Sequence, residues 1–245
     1  MKRRRAGLPE DAVELIEQDL AHWRWLTSDE QERLLELTDW LLRRKHWEGS
    51  AGFEIDDRIR VVIAAQAALL ILGLSPDHYR LVSSIIVYPS SVLASGERPG
   101  PAAGTRTDEP LAIHGLAQDR RGPIVIAWDE AAASARHPER GHNVVIHEFA
   151  HKIDMLDGII DGTPPISRAA MKPWVAVCTE VFESLRSGRA RPPLRLYGGT
   201  NPGEFFAVAT EAFFDTAVLL ATLEPALYGV LADFYQQDPV ARAPG

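Results

Sequence analysis

Apolar residues recur with helical spacing through the first third of the chain. Thr27-Ser28-Asp29-Glu30 has the T-x-x-E form of a capping box, and leucines follow it near every third or fourth position, which predicts a helix over about 28–46. The run 61–72, VVIAAQAALLIL, is interrupted by a single glutamine and predicts a buried helix over 58–72 that ends near Gly73. This run is shorter than the roughly 20 residues that a membrane-spanning helix needs, so we expect no membrane insertion.

β-branched residues mark strands in the middle of the chain. The segment 81–88, LVSSIIVY, is flanked by prolines and predicts a strand, and 123–128, PIVIAW, follows a glycine and predicts another. A further short strand is expected at 111–114. The segment 90–106 is rich in Pro, Gly, Ser and Ala, which favours a loop.

Four more helices are predicted in the second half of the chain. They cover about 142–156, 172–187, 202–217 and 223–236, and Pro173 is expected near the first turn of the second of these. Helices that precede and follow a few strands are typical of an α+β domain.

Composition places the chain among ordinary globular proteins. Of its 245 residues, 46% are hydrophobic and 24% are charged, which excludes collagen-like, disordered and disulfide-scaffold proteins. Cys178 is the one cysteine, so no disulfide forms within the chain, and a reducing compartment is favoured.

Charge argues against nucleic acid as a partner. The basic cluster Lys2–Arg5 is not followed by an apolar region, so it is not a secretory signal, and we expect a cytoplasmic protein. The net charge of -8 opposes phosphate binding, so these basic residues are expected to form a solvated tail.

The helix predicted over 142–156 carries an H-E-x-x-H motif. His147 and His151 are four residues apart, so they share one helical face and can offer two imidazole nitrogens to one Zn²⁺. Glu148 then lies beside the open coordination position, where it can accept a proton from the attacking water. Two histidines and a glutamate in an apolar helix would be costly to bury without such a purpose.

A catalytic zinc needs a third protein ligand, and three carboxylates compete for this role. Asp157 has the spacing of H-E-x-x-H-x-x-G-x-x-H/D enzymes, but Asp154 occupies the position of their turn-forming glycine. Glu204 and Glu211 lie seven residues apart on another apolar helix and therefore on a similar face.

Both of these glutamates also have structural explanations. Glu204 is the last residue of Asn201-Pro202-Gly203-Glu204, which fits a helix N-cap with a capping carboxylate, and that role is hard to combine with metal binding through the same oxygens. Glu211 is either an ordinary salt-bridge residue or an acceptor that holds a histidine in its ligating tautomer.

The segments HEFAHKIDMLDG and NPGEFFAVATEAFF resemble the Mlc titration factor A family of bacterial cytoplasmic zinc metallopeptidases, related to the catalytic domain of anthrax lethal factor. The resemblance implies a zincin-like (gluzincin) core over 76–245, with a helical N-terminal region, 1–75, packed on it. It also implies that Glu204 is the third ligand of one zinc ion per chain.

Two further residues acquire roles from this resemblance. Tyr197, seven residues before Glu204, is expected to face the metal, where its phenol can donate a hydrogen bond to the oxyanion of the reaction. A further metal-associated histidine falls on His114, which would fill the open coordination position and keep the enzyme latent. The remaining histidines have no partner spacing and are expected to be surface or packing residues: His22, His46, His78, His137 and His142.

These observations favour a zinc metallopeptidase, and the resemblance implies aminopeptidase-like cleavage of peptide substrates. The alternative is a non-catalytic protein that sequesters an Mlc-like transcriptional repressor of sugar-uptake genes. Direct binding to nucleic acid is the least favoured function.

Overall fold

The computed structural model of the chain describes residues 6–90, 98–99, 106–107, 122–189 and 191–242. The helices are α1 Ala12–Asp19, α2 Ser28–Arg44, α3 Asp57–Leu70, α4 Trp128–Arg136, α5 Val144–Asp154, α6 Arg168–Arg186, α7 Pro202–Asp215, α8 Ala217–Leu223, α9 Pro225–Tyr235 and α10 Pro239–Arg242. The strands are β1 His46–Gly49, β2 Ser84–Tyr88, β3 Arg98–Pro99, β4 Arg106–Thr107 and β5 Ile124–Ala127.

The two long helices of the first third begin where polar side chains cap them. The Oγ1 atom of Thr27 accepts a hydrogen bond from Glu30 N at 3.3 Å, and Thr27 N donates to the Glu30 carboxylate at 2.9 Å, so the predicted capping box is confirmed. Asp56 Oδ1 accepts from Ile59 N at 2.8 Å and starts α3, whose last ten residues are all buried, as predicted.

The predicted end of α2 is wrong by two residues. The helix ends at Arg44 because His46–Gly49 instead pairs with β2, His46 opposite Ser84. β5 pairs with the other side of β2 to complete a parallel sheet of order β1-β2-β5. α3 supplies the crossover that parallel pairing of β1 and β2 requires.

The predicted strands are confirmed in shorter form. β2 begins at Ser84, because Val82 N donates to Tyr79 O at 3.1 Å and closes a turn there. β5 covers four residues of the predicted 123–128 and is buried throughout. β3 and β4 form an antiparallel pair within the predicted loop 90–106 and just beyond it, and the strand expected at 111–114 lies outside the described residues.

The second half differs from the prediction at two helices. α6 begins at Arg168, before the predicted start at about 172, because Ser167 Oγ accepts from Ala170 N at 3.3 Å, and Pro173 therefore lies inside the helix. The predicted helix 223–236 begins instead at Pro225, the first position of α9, and the separate helix α8 precedes it.

α5 lies at the centre of the core. All of its residues are buried, and it packs against α7, α3 and β5. Even Lys152 is fully buried, and its Nζ donates to Gly122 O at 3.0 Å. The fold is α+β, as predicted, and the central position of α5 shields the H-E-x-x-H motif from bulk water.

Among the described residues, no single helix is long and apolar enough to cross a membrane. α7 and α8 reach that length and apolar character only as a pair, and the pair is bent by 115°. The predicted division of the chain into regions 1–75 and 76–245 stays a prediction. α3, in the first of these regions, contacts α5, in the second.

Candidate metal centre

The start of α5 fixes the placement of the two motif histidines. Asn143 caps the helix, and its Oδ1 accepts from Val145 N and Ile146 N, each at 3.1 Å. His147 and His151 then follow on one face, one turn apart, and their Nε2 atoms lie 3.1 Å from each other. Both side chains are almost entirely removed from solvent.

α7 brings a carboxylate to these two nitrogens. Asn201 Oδ1 accepts from the backbone N–H of Glu204 at 3.0 Å and thereby caps α7. Because Asn201 provides the cap, the Glu204 side chain is released from that role, and its Oε2 lies 3.1 Å from His147 Nε2 and 3.5 Å from His151 Nε2. The expected conflict between capping and metal binding is therefore absent.

The three donor atoms fit a zinc ion. Zn–N and Zn–O bonds of about 2.0–2.1 Å in a tetrahedron separate neighbouring donors by about 3.3 Å. The observed separations of 3.1, 3.1 and 3.5 Å match this value. In the part of the chain that the structure describes, His147, His151 and Glu204 are the His, Cys, Asp or Glu side chains close enough to one another to share a metal ion.

The charges of this group stabilise one another. Burial raises the pKa of Glu204, but hydrogen bonds from His147 and His151 hold it well below its ordinary value. Burial lowers the pKa of His147, whereas its hydrogen bonds to Glu204 and Glu211 raise it to about 10. The group therefore attracts positive charge, a proton or a cation, at neutral pH.

Glu211 holds His147 from behind. Its Oε1 lies 2.7 Å from His147 Nδ1, so the other ring nitrogen is directed at Glu204 and His151. Its Oε2 accepts from His142 Nδ1 at 3.0 Å and from Asn143 N at 2.7 Å. Burial raises the pKa of Glu211, but hydrogen bonds from His142 and His147 lower it to about 2, so it remains a carboxylate.

Two residues of this network were missed from the sequence. Arg195 donates from Nη2 to Glu211 Oε1 at 2.5 Å. His142, expected to have no partner, contacts the other oxygen of Glu211. Helical spacing in the sequence predicts neither contact, because each contact joins residues from separate elements.

The two residues expected to act on substrate lie beside the three donors. Glu148 is fully buried next to His147, and Tyr197 lies on the 3-10 turn Leu196–Gly199, its ring centroid 6.2 Å from that of His147. Burial, the charge of Glu204 and a hydrogen bond to Glu204 raise the pKa of Tyr197, so its phenol keeps its proton. Tyr197 is 38% exposed and is therefore accessible from solvent.

The other candidate ligands lie elsewhere. Asp157 is exposed, and its Oδ1 accepts from Ile159 N at 3.0 Å, so it is not part of the three-donor group. His114 lies outside the described residues. His22 is a buried packing residue, and its Nε2 lies 3.1 Å from Asp215 Oδ1.

Comparison with known proteins identifies the family of the chain. The model of the glucose-regulated metallo-peptidase M90 family matches residues 1–236. Mlc titration factor A of Serratia proteamaculans is 31% identical over 223 residues, which cover 89% of this chain and 84% of the relative. Mlc titration factor A of Enterobacter sp. is 29% identical over 223 residues, 89% of this chain and 83% of the relative.

A protein of Synechocystis sp. described as uncharacterized is 31% identical over 237 residues, 95% of this chain and 86% of the relative. The family match extends over nearly the whole chain, so it includes the helices that carry all three donors. The resemblance seen in the sequence is confirmed. The chain belongs to the glucose-regulated metallo-peptidase M90 family, together with the Mlc titration factor A proteins.

Proposed function

We propose that this protein is a zinc-dependent peptidase with a zincin-like core and aminopeptidase-like activity. The observation that carries the proposal is the buried group formed by His147, His151 and Glu204, whose donor atoms from two helices are separated by distances that suit one Zn²⁺. Membership of a metallopeptidase family supports the same conclusion. The aminopeptidase-like character and a cytoplasmic location rest on the family resemblance.

Zinc held by these residues would polarise the scissile carbonyl and make water more acidic. Glu148 adjoins His147 in sequence and is buried, so its carboxylate is placed to take the proton of the attacking water. The same carboxylate then delivers that proton to the leaving amine.

Tyr197 is proposed to stabilise the negative charge that develops on the substrate oxygen. Its raised pKa keeps the phenol protonated, so it can donate a hydrogen bond at neutral pH. Tyr197 is also partly exposed, so its side chain is not sealed inside the core. His114 stays a predicted additional ligand.

The test compares Glu148→Gln with Glu180→Gln, an exposed glutamate on α6 that serves as the matched control. Hydrolysis of aminoacyl p-nitroanilides should fall by about 10²–10⁴-fold in Glu148→Gln, with zinc content unchanged. Glu180→Gln should retain wild-type activity. N-acetylation of the substrate distinguishes the two peptidase types, because an aminopeptidase loses activity on the blocked substrate whereas an endopeptidase does not. Undiminished hydrolysis in Glu148→Gln would contradict the assigned base.

A second candidate function is sequestration of an Mlc-like transcriptional repressor, because relatives such as those of Serratia proteamaculans and Enterobacter sp. carry the name Mlc titration factor A. Glu148→Gln separates this function from catalysis. Retained repressor binding by the inactive variant would show that both functions coexist. A wild-type protein that binds the repressor but hydrolyses no peptide would support repressor sequestration without catalysis.

A further inference from the structure

The 3-10 turn that carries Tyr197 is fixed firmly at its glycine end. A Cβ atom on Gly198 would lie 3.3 Å from side-chain atoms of Leu185 and Val208, and one on Gly199 would lie 3.0 Å from the backbone of α6. The turn therefore packs closely between the two helices, with Gly198 against Leu185 of α6 and Val208 of α7 and Gly199 against the backbone of α6.

Arg195 holds the other end of the turn. Its carbonyl oxygen accepts from Gly198 N at 3.0 Å, so it precedes and closes the turn Leu196–Gly199. Its Nη2 donates to Glu211 Oε1 at 2.5 Å. That same oxygen lies 2.7 Å from His147 Nδ1, so one atom joins the Tyr197 turn to a proposed metal ligand.

We propose that Arg195 is a positioning residue that fixes the Tyr197 phenol relative to His147 by anchoring the turn to Glu211. The inference rests on the proposed peptidase function for its catalytic consequence, whereas the anchoring itself is a property of the free protein. A guanidinium–carboxylate hydrogen bond is among the stronger polar contacts available, and here its acceptor is fully buried.

Compensation of the Glu211 charge does not by itself require Arg195. The Glu211 carboxylate also accepts hydrogen bonds from the ring nitrogens of His147 and His142 and from the backbone N–H of Asn143. The Arg195 side chain is 34% exposed, so its removal leaves room for water to replace the lost donor. What Arg195 adds is a side-chain link from the start of the Tyr197 turn to Glu211 on α7.

The experiment uses Arg195→Met and Arg195→Lys. Arg33→Met is the matched control, since Arg33 also pairs with a carboxylate, Glu36, and its side chain is 39% exposed. Zinc affinity is measured by competition with a chromophoric chelator. We expect Arg195→Met to keep zinc affinity within about threefold of wild type and to lower kcat by on the order of tenfold, less than the 10²–10³ typical for loss of an oxyanion donor itself.

A double-variant comparison tests whether Arg195 acts through Tyr197. If it does, Arg195→Met combined with Tyr197→Phe should be no slower than Tyr197→Phe alone. If the two substitutions instead lower kcat by the product of their separate effects, the proposal is overturned. A fall in zinc affinity that parallels the loss of activity would also overturn it, because Arg195 would then act only on Glu211. Arg195→Lys keeps the charge without the planar fork and should recover only part of the wild-type rate.

A second readout requires no catalysis. In protein labelled with 3-fluorotyrosine, the ¹⁹F resonance of position 197 is identified by its loss in Tyr197→Phe. Arg195→Met should shift or broaden this resonance in the free protein, and Arg33→Met should leave it unchanged. An unaltered resonance in Arg195→Met would overturn the anchoring, whether or not the wild type hydrolyses peptides.

Discussion

Replacement of Glu211 by glutamine should weaken zinc binding without touching a proposed ligand. The Glu211 carboxylate accepts four hydrogen bonds, two on each oxygen. Oε1 accepts from His147 and Arg195, and Oε2 accepts from His142 and from the backbone N–H of Asn143. A glutamine offers one acceptor oxygen, so its NH₂ group must face two donors at one of these positions.

The lowest-cost arrangement leaves the glutamine oxygen with the backbone N–H of Asn143. The amide NH₂ then faces His147, which can avoid the clash by moving its proton to Nε2, the atom that faces Glu204 and His151. That tautomer does not bind a metal through Nε2. Loss of such a supporting hydrogen bond costs about 10–100-fold in metal affinity, or about 1.4–2.7 kcal/mol.

The assay is a competition titration of zinc against a chromophoric chelator at pH 7.5, with Glu180→Gln as the isosteric control on the surface. Urea unfolding of the metal-free proteins accompanies it. The glutamine NH₂ group then faces His147 and the partly exposed Arg195 instead of offering an acceptor, and the loss of the buried His147 hydrogen bond should lower the free energy of unfolding of Glu211→Gln by about 1–3 kcal/mol. A zinc affinity within twofold of wild type would refute the reasoning that Glu211 sets the tautomer of His147.

Two further predictions concern the elements around the site. Asn143→Ala should lower the free energy of unfolding by about 1 kcal/mol through loss of the α5 cap, and Ser167→Ala, at the cap of α6, provides a comparison in the same urea titration. Burial, with the charges of Asp161 and Asp157, raises the pKa of Asp154 from 3.8 to about 7. Between these two pH values, the carboxyl group is protonated in the folded state and ionised in the unfolded state. This group therefore removes stability as the pH rises from about 4 to about 7. Asp154→Asn should accordingly lose less stability than wild type between pH 5 and pH 8, and parallel losses in both proteins would contradict this interpretation.

The sequence predicted best the elements whose signals are local. The capping box at Thr27 and the apolar run 61–72 specified α2 and α3 because caps and burial act within a few residues. β1 was missed because His46–Gly49 is an edge strand with alternating partial exposure, and its pairing with β2 depends on residues nearly 40 positions away. The start of α6 was misplaced because the Ser167 cap outweighed Pro173 as a boundary signal.

The same division applies to the site. Helical spacing alone brings His147 and His151 together, so this pair could be predicted. The choice of Glu204 over Asp157 depends on the packing of α7 against α5, which periodicity does not reveal, and the family resemblance supplied it. The contact from Arg195 to Glu211 has no sequence signal, because it depends on where a turn between two helices is placed.

The zinc content of purified wild-type protein, compared with Glu204→Ala and Asp157→Ala, tests the central claim most directly. The account predicts about one zinc per wild-type chain, retained in Asp157→Ala and lost in Glu204→Ala, because the Glu204 carboxylate lies within 3.5 Å of both histidine Nε2 atoms and Asp157 is not part of this group. Wild-type protein without zinc under metal-replete conditions, or zinc retained at the wild-type level in Glu204→Ala, would contradict it.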